Sequence, residues 1–156
     1  MEVNSDVVKA LQAVVKCHWT AIEAYSTQRH HFKRWGYPKL AKWAKGEAAA
    51  ERKHLRWVVR QLELFDVAPT FAHPAPEYKR HDIDSILACD LGLESEVLKY
   101  EDAGAILCRS SSVHDEDTAR VFGHLATASR KSVEDLTAWQ KLIKQVGIQN
   151  FLQDMM

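Results

Sequence analysis

Apolar residues recur every three or four positions over four long segments of the chain, which is the period of an amphipathic helix. The first segment runs from about Asp6 to Trp35, with an inner face of Val7, Leu11, Val14, His18, Ala21, Tyr25, Gln28 and Phe32. Asn4 and Ser5 offer side-chain caps at its start, and Gly36 marks its stop. The second runs from Pro38, well suited to a first helical turn, to about Phe65. It presents Leu40, Trp43, Glu47, Ala50, Glu51, His54, Val58, Gln61 and Phe65. The third begins near His81 or Asp82 and reaches about Ser110, presenting Ile83, Leu87, Leu91, Glu94, Leu98, Ala105 and Cys108. The fourth covers roughly Asp117 to Val146, presenting Val121, Leu125, Ser129, Ser132, Leu136, Trp139 and Ile143. Gly147 ends it, and Ile148 to Met155 predict a short fifth helix. Between the second and third segments, Asp66 to Arg80 holds Pro69, Pro74 and Pro76, which predicts an extended connection able to span a bundle's length. The pattern predicts an all-α four-helix bundle with a long crossover between helices two and three, occupying residues 1–156 as a single domain.

Composition agrees with this picture and narrows the function. Six glycines and four prolines in 156 residues are few breakers, as long helices require. The 21 basic side chains balance the 21 acidic ones, so no global field directs the protein toward nucleic acid or an anionic membrane. No run of about 18 apolar residues predicts a membrane span, and Met1 to Asp6 lacks the pattern of a signal peptide. The three cysteines, Cys17, Cys89 and Cys108, show no paired spacing, which fits a reducing cytoplasm.

The inner faces are unusual in carrying ionisable groups. His18 lies mid-stripe on the first helix, Glu51 and His54 on the second, and Glu94 on the third. A buried carboxylate without a partner costs several kcal/mol, so four such groups on three helices call for a shared explanation. Glu51-Arg52-Lys53-His54 is an E-x-x-H segment, whose outer residues share a helix face. Bundles that hold paired metal ions use this unit on two helices and a lone Glu on each of the other two. Carboxylate and imidazole donors suit iron, manganese or zinc.

With these residues in view, the chain resembles bacterioferritin along nearly its whole length. The resemblance is carried by Ala21-Ile22 and Tyr25, Phe32-Lys33, Trp35-Gly36, Glu47, Glu51, Lys53-His54, Asp90-Leu91-Gly92-Leu93-Glu94, and the closing Gly147-Ile148-Gln149-Asn150-Phe151-Leu152-Gln153. It implies a ferritin-like bundle, a dimer-based cage of twenty-four subunits, oxidation of ferrous iron and storage of the mineral. It also implies ligand positions, and here the chain departs from the family. Glu51, His54 and Glu94 match. His18 stands where the family has a first-helix Glu, and the second E-x-x-H falls on Ser129-Arg130-Lys131-Ser132. The axial methionine that holds haem is replaced by Arg52, which argues against haem. Gly46 and Ala50 replace side chains that bind metal on the family's inner surface.

The expectation is a cytoplasmic, bacterioferritin-like metal-binding subunit in which His18, Glu51, His54 and Glu94 hold one ion of iron or another divalent metal, as a homo-oligomer. The alternative is a catalytically silent structural subunit that co-assembles with an active bacterioferritin. Two further readings carry less weight. Arg29-His30-His31-Phe32-Lys33-Arg34-Trp35 interleaves basic and aromatic residues as nucleic-acid sites do, but such a run more often caps a solvated helix end. Ser111, Ser112, His114 and Asp115 are neighbours in a turn, whereas hydrolytic triads are assembled in space.

Overall fold

The computed structural model describes residues 2–71 and 82–156. Its helices are α1 (Ser5–Arg34), α2 (Pro38–Leu64), α3 (Ile83–Arg109), α4 (Glu116–Val146) and the short α5 (Ile148–Asp154). The expected all-α bundle is therefore present, with helix ends within one or two residues of those expected. No helix among the described residues is long and apolar enough to cross a membrane.

Local chemistry sets the ends. The Asn4 side chain accepts from the amides of Asp6 and Val7 at the start of α1, satisfying donors the helix cannot. His31, Lys33 and Arg34 complement the negative end of its dipole. Gly36 turns the chain with φ 87°, a region costly to side chains bearing a β-carbon, and Pro38 opens α2. Asp82 accepts from the Ser85 amide at 2.7 Å to start α3. Asp115 accepts from both the amide and the hydroxyl of Thr118 to start α4. Gly147, at φ 82°, separates α4 from α5, and α5 docks through the buried Phe151.

Contacts along the bundle fix its topology. Gln28 meets Asp90, Tyr25 meets Glu94 and His18 meets Glu101, so α3 runs antiparallel to α1. The connection leaving α2 is tied back along α1: Gln12 donates to the Ala68 carbonyl, its own carbonyl accepts from the Thr70 amide, and Phe71 packs on Trp19. The remaining part of the predicted extended linker, with Pro74, Pro76, His73 and His81, lies outside the described residues.

The apolar interior is split in two. One cluster gathers Leu11, Val14, Val58, Leu62, Phe122 and Leu125. The other, at the opposite end, gathers Phe32, Leu40, Leu87, Leu136 and Phe151. Between them lie Ala21, Tyr25 and Ala48, and a belt of polar groups enclosed by the same four helices. Gly104 lets α3 approach α4 closely, because a β-carbon there would come within 2.6 Å of the buried Phe122 ring.

The face of α3 differs from the expected one. Leu91 and Leu98 are only partly covered, whereas Asp90, Val97, Glu101 and Gly104 are buried alongside Glu94. The true stripe is rotated toward the carboxylates because α1 offers them partners, which an apolar count along one helix cannot register. The basic run at the end of α1 behaves as a helix terminus: Phe32 is in the core, while Arg29, His30, Lys33 and Arg34 are exposed.

Candidate metal centre

The polar belt contains five fully or almost fully enclosed ionisable residues, His18, Glu51, Asp90, Glu94 and Glu101, contributed by α1, α2 and α3. Burying so many requires mutual pairing, and the geometry shows two separate arrangements.

The first centres on His18. Its Nδ1 donates to Glu51 Oε2, and its Nε2 lies 3.2 Å from Glu101 Oε1. His54, three residues after Glu51 and so on the same face of α2, places Nδ1 4.0 Å from Glu51 Oε1. Its ring stands edge-on to that of His18, with centroids 5.6 Å apart. His18, Glu51 and His54 each turn one donor atom inward, and these atoms lie within 4.8 Å of one another.

The second arrangement lies further along α1. Tyr25 donates its hydroxyl to Glu94 Oε1 at 2.7 Å, and Gln28 donates to Asp90 Oδ1 at 2.5 Å. Glu94, expected as a fourth ligand, is thus in the belt but outside the three-residue group. Its second oxygen, Oε2, has no hydrogen-bond partner.

Electrostatics separates the two imidazoles. Burial alone would lower the pKa of His18, but the Glu51 and Glu101 carboxylates overcome it and push it up to about 10. Without metal, His18 is an imidazolium shared by two carboxylates. His54 goes the other way: burial lowers its pKa more than Glu51 restores it, so it is a neutral donor at pH 7. Burial raises Glu94, and repulsion from Glu51 adds to this against the easing effect of Tyr25. Burial also raises Glu101, with His18 and Ser129 opposing.

Asp90 is pushed up to about 7, chiefly by burial, partly offset by the Gln28 hydrogen bond. A carboxyl raised in the folded state binds more protons there than in the unfolded chain. Its contribution to stability therefore falls as pH rises from about 4 to 7. Replacing Asp90 by Asn should stabilise the protein at pH 8 by up to about 4 kcal/mol, with no gain near pH 4. Thermal melts of both proteins across that range test this; parallel curves would contradict it.

The residues suit a divalent transition-metal ion: two imidazole nitrogens and a carboxylate converge, and two buried donors, His54 Nδ1 and Glu94 Oε2, have no hydrogen-bond partner. The α4 positions expected to bring a second E-x-x-H do face the belt, but as hydroxyls. Ser129 is buried beside Glu101, and Ser132 donates to Glu47 Oε2 at 3.3 Å. Arg52 is exposed and reaches the Ser26 hydroxyl at 3.2 Å.

Two residues of this belt escaped the sequence reading as site members. Glu101 is fully enclosed and touches His18, and Asp90 is fully enclosed against Gln28. A signal existed: Asp90, Glu94, Val97, Glu101 and Gly104 follow intervals of three and four along one face of α3.

Comparison with known proteins agrees with the architecture. The ferritin-like domain model matches residues 8–146. A bacterioferritin of Mycobacterium avium is 23% identical over 149 residues, covering 96% of this chain and 92% of its own length. A bacterioferritin of Mycobacterium leprae is 22% identical over 147 residues, covering 94% and 91%. Bacterioferritin BfrA of Mycobacterium tuberculosis is 21% identical over the same length, with the same coverage. With a helical bundle, a central polar belt and relatives that align nearly end to end, the chain belongs to the ferritin-like family and is a bacterioferritin-like protein.

Proposed function

We propose that this chain is a cytoplasmic, iron-handling cage subunit of the bacterioferritin type whose centre takes one divalent ion in place of a pair. The observation that carries this reading is the convergence of His18, Glu51 and His54 within the buried belt. These three residues would hold the ion, and Glu94 would complete the set by turning its free Oε2 inward. Ferrous ion is the substrate such a centre would receive, and it would supply one-electron redox chemistry. His54 presents a neutral nitrogen. To bind an ion, His18 would release its Nδ1 proton to solvent, which would free both that nitrogen and Glu51 Oε2. The apolar clusters on either side of the belt would limit water around a bound ion. Ser129 and Ser132 stand on α4 in place of carboxylate and imidazole donors, which supports a centre for one ion over a pair. The Arg52 substitution supports a subunit without haem.

A second reading is a silent structural subunit that assembles with an active bacterioferritin. It is favoured by the state of His18, whose imidazolium already contacts both Glu51 and Glu101 and so supplies the cation the belt needs. Stopped-flow oxidation of ferrous iron in air-saturated buffer tests the proposal. It predicts slow oxidation after one equivalent binds, with no rapid phase that consumes two irons per chain. A rapid two-iron phase would refute the single-ion reading, and no binding at all would leave the structural subunit.

A further inference from the structure

The bundle places a carboxylate at each nitrogen of His18. On one side Nδ1 meets Glu51, and beyond it His54. On the other, Nε2 meets Glu101 Oε1 at 3.2 Å. Glu101 has no exposed surface, and neither of its oxygens has a well-formed hydrogen bond; the same holds for His18 Nε2 and the Ser129 hydroxyl beside it. Three helices thus deliver polar atoms without well-formed hydrogen bonds to one spot, on the far side of the His18 ring from the metal group. Such atoms are costly to bury, and an exposed surface position two turns from Glu94 would avoid the cost. Glu101 does not belong to the group of converging donors, because the His18 ring stands between. A histidine that binds a metal through one nitrogen commonly donates its other N–H to a carboxylate. That contact fixes the ring's tautomer and orientation and strengthens it as a donor.

We propose that Glu101 is a positioning residue for the metal centre: it accepts the Nε2–H of His18 and so holds Nδ1 toward the ion. The inference rests on the single-ion reading given above. Ser129 then serves as a hydroxyl neighbour for the second Glu101 oxygen rather than as a ligand.

The test uses the full chain stripped of metal, with Zn(II) affinity measured by competition against a chromophoric chelator and the donor set read from the visible spectrum of bound Co(II). Glu101→Leu is expected to weaken Zn(II) binding toward the high end of about 10- to 100-fold, and Glu101→Gln, which keeps an acceptor but loses the charge, toward the low end. The Co(II) bands of Glu101→Gln should match those of the unaltered protein, since the donors are unchanged. Should Glu101→Leu fail to fold, the isosteric Glu101→Gln alone remains decisive. Unchanged affinity in a folded variant would overturn the proposal and make Glu101 merely structural. Altered Co(II) bands in Glu101→Gln would overturn it by making Glu101 a ligand. Failure of the unaltered protein to bind either ion would bring down the single-ion reading itself, an outcome visible before any variant is made.

Discussion

Replacing His18 by leucine is expected to lower the stability of the metal-free protein by about 3–5 kcal/mol at neutral pH. For a chain of this size that is a fall of order 10 °C in Tm. Leucine fills most of the volume, so the loss is electrostatic. Glu51 and Glu101 would remain buried on either side of an apolar group, without the imidazolium both now contact. The effect has a definite pH dependence. A histidine raised to about 10 in the folded protein contributes its full stabilisation below its ordinary value of 6.5. That contribution is lost as pH rises through about 10. Acid also shrinks the difference between the two proteins, because protonated carboxyls no longer need a cation. The gap in Tm should therefore be widest near neutrality and close on both sides. Combining His18→Leu with Glu101→Leu should recover part of the loss. A His18→Leu protein as stable as the unaltered one at pH 7 would mean that the imidazolium does not hold this belt together.

The second large effect concerns the ion. A ligand that binds only the folded state stabilises it by about 4 kcal/mol when present at a thousand times its Kd. Zn(II) in such excess should raise the Tm of the unaltered protein by roughly 10 °C. Glu51→Ala and His54→Ala each remove one of the three converging donors and should abolish that rise. Of the two, His54→Ala is the cleaner probe, since His54 is partly accessible and makes no well-formed hydrogen bond through Nδ1. Its Tm without metal should stay close to that of the unaltered chain. A metal-induced rise of the same size in His54→Ala would remove this residue from the ligand set.

Much of the architecture was readable from the chain because it depends on local rules. Helical periodicity, the Asn4 cap, Pro38 at a first turn and the glycines at 36 and 147 each act within a few residues. The candidate ligands on α1 and α2 were legible for a related reason: an imidazole or carboxylate inside an apolar stripe breaks the local pattern, as His18, Glu51 and His54 do. On α3 that logic failed. The apolar choice of Leu91 and Leu98 competed with Asp90 and Glu101, and only the facing residues of α1 decide between them. Which nitrogen of His18 faces which carboxylate, and that Tyr25 donates to Glu94, depend on packing between helices distant in sequence.

The number of ions each chain holds tests the single-ion centre most directly. The stripped protein would be loaded separately with Fe(II) under anaerobic conditions and with Zn(II), cleared of loose metal, and assayed for metal and protein together. One tightly held ion per chain is predicted for both metals, given the donors His18, Glu51 and His54 and the hydroxyls that replace ligands on α4. Two ions per chain, or none, would contradict it.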